Sequence, residues 1–397
     1  MLDFSEEQKQ VQAAIRSWCV QKLEPKVLAM EAGELDVYPV MKEMAQTFGM
    51  IDMVKTMFEK MQNAPEGEPA KKKGLTSDPA LMAILTMELS RVCPGFALAF
   101  GASLGLFAGG VMARGTKEQK LKYALPVLSF ERIGAWGLTE PGAGSDAFGS
   151  MKTRAEVTES DGGGFRISGS KTFITNAPYA DYFLVYAKLA EGEVRSFIVE
   201  RADKGVATSK PFKKMGMHAS PTGEIFLDDV FVPKDRLLGG NSAENARTAA
   251  KSSLNQERFG MTPMLLGMTD RCLEEAVKYA KQREQWGKPI ATFQLVQEKI
   301  ARIYTARSIM AALLMRQLEA EKQGVALPGR EASATKLYCA RMTTECALEA
   351  VQIMGGAGYM TGSVVEMMAR DAKLFQIGGG TDEIQMLRIA RELLEMP

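Results

Sequence analysis

The amino-acid sequence predicts a mainly α-helical protein with a small β domain at its centre. Apolar residues recur at helical spacing in the first and last parts of the chain, and they alternate between about residues 165 and 233. At 397 residues the chain is also too long for one ordinary core. We therefore expect a helical domain over 1–130, a β-barrel or β-sandwich over 131–238 and a four-helix bundle over 239–397.

The N-terminal domain is predicted to be helical because two of its segments carry amphipathic stripes. Between them, residues 63–78 form a polar segment in which lysines stand beside glutamates, and we expect a solvated loop there. The stripes consist of Phe4, Val11, Ile15 and Trp18, and of Leu81, Ile84, Leu85 and Leu89.

The central domain is predicted to be β because short apolar runs at 165–167, 182–186, 196–199 and 224–226 are separated by glycine and proline. From about residue 241 long helical stripes return, and further helices are predicted at 331–354, 364–377 and 382–396. Long helices joined by short breaks indicate an antiparallel bundle.

Composition excludes several function classes. The net charge is +1, from 49 basic and 48 acidic residues, so neither nucleic acid nor an anionic membrane is an expected partner. No run of 18 consecutive apolar residues is present, so we expect no integral membrane segment. The N-terminus is acidic and amphipathic, unlike a secretory leader. The five cysteines form no C-x-x-C pair, which predicts reduced thiols and a cytoplasmic location.

The single histidine, His218, excludes a multi-histidine metal site, and we expect no metal. It also leaves no pair of histidines for acid–base relay. The difficult chemistry is therefore expected to fall to a bound organic cofactor.

Two short stretches carry the strongest functional signal, LTEPGAGSD at 138–146 and GSKTFITNA at 169–177. Each combines glycines, which let a ligand approach the backbone, with hydroxyl groups and a nearby aromatic ring. This chemistry suits a flat cofactor with polar edges, although ordinary turns have similar compositions. The first stretch also fits the dinucleotide fingerprint G-x-G-x-x-A, but Thr139, Glu140 and Pro141 intervene where a strand is required. We reject that interpretation.

In this order, the two stretches and three later motifs resemble the acyl-CoA dehydrogenase family over nearly the whole chain. The first signature lies at 136–146 and the second at 171–176. The later motifs are REQWGKP at 283–289 with Gln294, QIMGG at 352–356, and TDE at 381–383. The order of five motifs is more specific than any one of them.

The resemblance implies a homotetramer that binds FAD and an acyl-CoA thioester. A base would remove the proton alpha to the thioester while flavin N5 takes the beta hydride, and the electrons would leave through an electron-transfer flavoprotein. Arg283 would contact the cofactor of a neighbouring subunit. The implied cofactor residues are Trp136, Leu138, Thr139, Gly144, Ser145, Phe173, Ile174, Thr175, Arg283, Trp286, Gln294, Gln352, Gly355, Gly356, Thr381 and Glu383. The implied substrate residues are Ser145, Arg258, Gly379 and Gly380.

The chain departs from the commonest family pattern at the catalytic base. Many members carry a glutamate directly before the C-terminal Gly-Thr, where this chain has Gly379. A subset that includes isovaleryl and long-chain members places the base on the first long bundle helix instead, and Glu257 matches that position. Glu257 also shares an apolar helical stripe with Met261 and Met264, where desolvation raises a carboxyl pKa toward that of a general base. The alternative is a glutamate favoured by the helix dipole or paired with lysine.

Gly379 retains a main-chain N–H that would still bind the thioester oxygen, and three consecutive glycines leave room for a wide acyl group. Plain loop flexibility before a Thr381 helix cap is the alternative. A charged insertion at 58–78 prevents any transfer of chain-length preference. Two other functions remain open: a non-oxidising member such as an acyl-CoA desulfinase, and a non-catalytic FAD-binding subunit of a heteromer. The acyl group itself is not identified.

Overall fold

The computed structural model of the chain describes residues 2–63, 78–190, 192–240 and 246–395, without the side chains of residue 161 and residues 246–256. The predicted polar loop at 63–78 lies almost entirely outside the described residues. The described parts have the predicted order of helices, a central curled sheet and a C-terminal helical bundle.

The first part of the chain is helical. Its first helix begins at a capping box, in which Ser5 accepts a hydrogen bond from Gln8 N and the Gln8 side chain accepts one from Ser5 N. The helices are α1 (Glu6–Trp18), α2 (Val27–Glu31), α3 (Val37–Thr47), α4 (Met50–Asn63), α5 (Pro79–Val92), α6 (Pro94–Gly101), α7 (Gly109–Arg114), α8 (Lys117–Gln119) and α9 (Leu125–Leu128).

A π-helical segment, Ala102–Ala108, joins α6 and α7 into one apolar helix, Pro94–Arg114. By length and composition alone this 21-residue helix qualifies as a candidate membrane span, with a mean hydropathy of 1.8. The count of consecutive apolar residues overlooked it because glycines and Ser103 interrupt the run. Within this chain 61% of its most apolar window is buried, as expected of a core helix. Ser103 Oγ accepts a hydrogen bond from Gly134 N at 3.0 Å and so ties this helix to the sheet.

Within the described residues, the central sheet has seven strands in the order β1-β4-β2-β3-β7-β6, with β5 paired to β4. β1 runs parallel to β4, and β3 pairs antiparallel with β7 along most of its length. A register shift in β3 between Lys171 and Ile174 includes Phe173, and such bulges re-aim side chains. The strands are β1 (Gly134–Gly137), β2 (Arg154–Thr158), β3 (Gly164–Thr175), β4 (Tyr182–Lys188), β5 (Val194–Glu200), β6 (Val206–Thr208) and β7 (Thr222–Pro233).

The last part is a helical bundle in which α12 packs against α10, α11, α14 and α15. Helix α10 contains Pro263, which has no N–H to donate to the carbonyl of Phe259. The elements are α10 (Ala246–Gln282), the hairpin strands β8 (Glu284–Gln285) and β9 (Lys288–Pro289), α11 (Gln294–Lys322), α12 (Gly329–Met354), α13 (Gly356–Tyr359), α14 (Val364–Ala372) and α15 (Asp382–Leu393).

Two carboxylates, the buried Asp371 and the partly buried Glu31, join the three parts of the fold at the loop between β6 and β7. Asp371 of α14 accepts a hydrogen bond from Met217 N, and Glu31 of α2 accepts one from Ala219 N at 3.0 Å. Burial raises the pKa of Asp371 to about 7, and the nearby Glu31 adds to this effect. The loop is therefore held from both helical parts at once.

Candidate active site

The structure brings the two motif stretches into direct contact. Lys171, which is fully buried, donates to Glu140 Oε1 at 2.8 Å and to the carbonyl of Leu138 at 3.2 Å. Beside it, Thr172 N donates to the carbonyl of Thr139 at 2.9 Å. The start of the first stretch is thus fastened to the end of β3.

Glu140 is the centre of this connection. Its carboxylate also accepts hydrogen bonds from Lys152 N at 2.6 Å and Thr153 N at 3.0 Å. Burial opposes its ionisation, but the charge of Lys171 and these hydrogen bonds outweigh burial and hold the Glu140 pKa below its ordinary value. Sequence reasoning missed the pair; the available signal was Lys171, the one basic residue of the two stretches, which could pair with Glu140 or Asp146 of the first.

The exposed side of the same loops offers a ring and hydroxyl groups. Phe173 is 69% exposed, has a left-handed backbone (φ 57°), and packs edge-on against Phe212 with ring centroids 6.0 Å apart. In the described part of the chain, the hydroxyls of Thr139, Ser145 and Thr175 have no hydrogen-bond partner. An exposed aromatic ring beside unpaired hydroxyls fits a flat cofactor with polar edges.

Other residues predicted for the cofactor differ in what they present. Gly144 is exposed, whereas Leu138 and Ile174 are buried, so their side chains offer no surface to a ligand. Trp136 is partly buried and its indole N–H donates to Tyr186 Oη at 3.3 Å. Its donor is therefore already used inside the protein.

Glu257 lies opposite the vacant glutamate position. A Cβ built on Gly379 would lie 3.9 Å from Glu257 Cδ, so the two sequence positions converge on one place. Burial raises the pKa of Glu257 to about 7, opposed by the positive charges of Arg258 and Lys336. The side chain is nevertheless partly exposed.

Gly379 does not open a free space beside this carboxylate. The same Cβ would lie 2.6 Å from Met261 Cε, so the Met261 side chain fills the volume that a side chain at 379 would need. The expectation of room for a wide acyl group is therefore not met at this point. Gly379 also has φ +64°, a conformation that glycine adopts at little cost.

The carbonyls of Gly379 and Gly380 accept hydrogen bonds from three buried side chains. The resemblance implied substrate contact for Arg258, but the structure buries its guanidinium, which donates to Gly379 O at 3.2 Å. Lys336 and Gln385 were not predicted. Thr381 caps α15 through a hydrogen bond from Ile384 N at 3.3 Å, as the alternative interpretation expected.

The remaining predicted cofactor residues lie on exposed parts of the bundle. Among the described residues, no hydrogen bond or ion pair joins the 283–294 segment to the two β-domain loops. Trp286 is 85% exposed and packs edge-on against Phe293. The other exposed members of this set are Arg283, Gln294, Gln352, Gly355, Gly356 and Glu383.

Family models match three consecutive parts of the chain: the acyl-CoA dehydrogenase N-terminal domain at residues 67–131, the middle domain at 135–230 and the C-terminal domain at 247–394. The mitochondrial isovaleryl-CoA dehydrogenase of Oryza sativa is 35% identical over 312 residues, which are 78% of this chain and 75% of that protein. The caffeyl-CoA reductase-Etf complex subunit CarC of Acetobacterium woodii is 33% identical over 399 residues, or 99% of both chains.

Among solved structures, the acyl-CoA dehydrogenase of Bacillus anthracis complexed with FAD superposes with a TM-score of 0.86 and 31% identity. The match covers 99% of this chain and 68% of that chain. The fold, the cofactor and the reaction class therefore agree with the interpretation of the motifs. The chain belongs to the acyl-CoA dehydrogenase family of FAD-dependent oxidoreductases that act on acyl-CoA.

Proposed function

We propose that this protein dehydrogenates an acyl-CoA thioester with Glu257 as the catalytic base. The observation that carries the proposal is the 3.9 Å between Glu257 Cδ and the Cβ position of residue 379, where many relatives hold their glutamate. A carboxyl with a pKa of about 7 is also well matched to proton transfer near neutral pH. Glu257 thus receives the alpha proton of the thioester.

The chain's other residues position the reactants. Phe173 covers the face of the cofactor ring, and the hydroxyls of Thr139, Ser145 and Thr175 bind its edge. Bound FAD supplies the acceptor for the beta hydride. In the described part of the chain, nothing accepts a hydrogen bond from Gly379 N–H, which is therefore available to the thioester carbonyl and stabilises the charge that develops there.

Replacing Glu257 tests the base directly. A panel of acyl-CoA thioesters is added to the FAD-loaded protein without oxygen, and bleaching of the flavin absorbance is followed. With the best substrate, we expect Glu257→Gln to slow bleaching by about 10³-fold, with thioester binding retained. Glu275→Gln is the matched control, because Glu275 lies on the same helix and pairs with Arg271 at 2.9 Å. Unchanged bleaching in Glu257→Gln refutes the assignment.

The same assay separates the alternatives. If no thioester bleaches the flavin but an acyl-CoA sulfinate loses its sulfinate group, the protein is a desulfinase. If FAD binds and neither reaction occurs, the non-catalytic subunit is the better description. The Glu257 geometry favours the dehydrogenase.

We further propose a homotetramer in which exposed Arg283 and Trp286 contact the cofactor of a neighbouring subunit. In support, no hydrogen bond or ion pair among the described residues joins them to the two motif stretches, 138–146 and 169–177, of their own chain. Co-expression of differently tagged Arg283→Met and Glu257→Gln chains, followed by purification on both tags, tests this arrangement. Neither variant is expected to be active alone, but the mixed oligomer regains activity because one subunit then has Glu257 and a partner's intact arginine. Absence of rescue places Arg283 in its own subunit's site.

An electron-transfer flavoprotein is the proposed electron acceptor. The relative from Acetobacterium woodii, which this chain matches over 99% of its length, is named as part of an Etf complex. Substrate-dependent reduction of added electron-transfer flavoprotein, compared with reduction of an artificial dye, checks this partner. Reduction of the dye alone would contradict it.

A further inference from the structure

We propose that Lys336 is a positioning residue for the oxidation of the thioester. From α12 it holds the carbonyl of Gly380, and with it the glycine loop that directs Gly379 N–H at the thioester oxygen. The inference rests on the proposed function of Glu257 and Gly379. It concerns a buried residue of α12 that contacts the glycine loop from inside the helical bundle.

Lys336 is placed for this task. Its side chain is fully buried, and Nζ donates to the carbonyl of Gly380 at 2.8 Å. The nearest carboxylate that pairs with it, Asp382 Oδ1, is 3.9 Å away, and Asp382 also accepts a hydrogen bond from Arg341 Nε at 2.9 Å. A buried ammonium adds little stability by itself, because its desolvation offsets the attraction to its partners. The burial of Lys336 is better explained by its hydrogen bond to the carbonyl of Gly380.

The glycine loop needs such restraints. Gly379 and Gly380 both have positive φ, and neither has a side chain that limits its torsions. On one side of the 378–379 peptide, Gly378 N donates to Leu374 O at 2.8 Å. On the other side, Gln385 Nε2 donates to the carbonyls of both glycines, at 3.0 and 2.8 Å.

Arg258 and Lys336 add one donor to each of these carbonyls. The N–H of Gly379 belongs to the 378–379 peptide, and the two bonded carbonyls belong to the next two peptides. Because each peptide is planar, holding those two planes limits the rotation left at Gly379 and so restrains its N–H. The bonds from α10, α12 and α15 therefore fix the loop that carries Gly379 N–H. Lys336 contributes the donor from α12.

Lys336 also acts on Glu257 through its charge. Burial is the main influence and raises the Glu257 pKa, whereas Arg258 from the same helix and Lys336 from α12 lower it. Around these two cations, Arg388 repels Arg258, and Asp382 and Glu383 attract Lys336. Loss of Lys336 therefore raises the Glu257 pKa and moves the acid limb of the rate profile to higher pH.

Three variants of the FAD-loaded full chain separate the two effects. Lys336→Met removes both the donor and the charge, and Gln385→Leu removes a neutral donor from the same carbonyls. Arg341→Gln is the matched control, because it removes a cation from α12 that contacts Asp382 but no loop carbonyl. The measurements are kcat, KM, the acid-limb midpoint and the pKa at which a bound 3-ketoacyl-CoA enolises, followed by absorbance.

We expect Lys336→Met to lower kcat about tenfold with KM changed less than about threefold, and to raise the enolisation pKa by about one unit. Its acid limb moves up by about 0.5 to 1 pH unit. Gln385→Leu is expected to reproduce the enolisation change without moving the acid limb, and Arg341→Gln to change neither. If Lys336→Met does not fold, Gln385→Leu still tests the carbonyl restraint.

The proposal is overturned if enolisation in both variants matches the parent and only the melting temperature falls, since that outcome describes a structural residue. Enolisation of the bound ligand does not require Glu257 as the base. Activity retained in Glu257→Gln would therefore refute the proposed base while leaving the enolisation test of Lys336 intact.

Discussion

The burial of Glu257 predicts how the stability of the protein depends on pH, independently of turnover. The pKa of its carboxyl is about 7 in the folded chain, compared with 4.5 for an ordinary glutamate. Between these values the folded state holds a proton that the unfolded chain has lost. Stability contributed at this site is therefore present below pH 4.5 and lost as the pH rises past 7.

The size of the effect follows from the two pKa values. Their difference, at about 1.36 kcal/mol for each pH unit, corresponds to at most about 3 kcal/mol of destabilisation above pH 7. The partial exposure of Glu257 makes this an upper bound. Glu257→Gln, which stays neutral at every pH, is expected to match the parent near pH 5 and to exceed its stability near pH 8.5.

The assay is denaturant unfolding of both proteins at pH 5 and pH 8.5, at equal protein and FAD concentrations, since bound cofactor and assembly change apparent stability. Glu298→Gln on α11 is the control, because Glu298 is more than half exposed and contacts Arg302 at 3.1 Å. The control should show a difference below about 1 kcal/mol at both pH values. A Glu257→Gln difference that does not change with pH refutes the reasoning.

Two other predictions concern a buried ion pair and a close helix crossing. Lys171→Met leaves the buried carboxylate of Glu140 without its cation, at a cost in folding free energy of about 3 kcal/mol or more. FAD fluorescence titration should show an affinity loss of about 10²-fold, and adding Glu140→Gln should recover part of that affinity. Unchanged affinity in the single variant would mean that the pair does not hold the two loops. Gly267→Ala should cost about 1–3 kcal/mol in thermal or denaturant unfolding, because a Cβ there would lie 2.2 Å from Met87 O where α5 crosses α10. Gly260→Ala on the same helix is the control, since its Cβ would meet no atom within 4 Å; equal losses would argue against the crossing.

Periodicity was sufficient to predict the fold class because the long helices and the buried strands repeat over many residues. It missed β1, β2 and β6, which have four, five and three residues. Such short strands carry too few alternations to be recognised, and β2 is exposed at most positions. Their pairing partners, not their own composition, establish them as strands.

The candidate site divides in the same way. The glycines, hydroxyls and Phe173 were recognisable because their chemistry is local to two short stretches. Lys336 and Gln385 look like ordinary polar residues of amphipathic helices, and only the packing of α12 and α15 brings them to the carbonyls of Gly379 and Gly380. For Glu257, the family resemblance supplied the candidate and the structure supplied its distance from position 379.

The convergence of positions 257 and 379 also affects how such a protein can evolve. A lineage can move its catalytic carboxylate from one of these positions to the other through an ancestor that carries a glutamate at both. The proton acceptor then stays at the same place in the active site, although it belongs to a different residue of the sequence. Met261 controls that route, since any side chain at 379 must first displace its methyl group. A sequence alignment would record the loss of one glutamate and the gain of another, whereas a structural superposition would show a carboxylate kept at the same place.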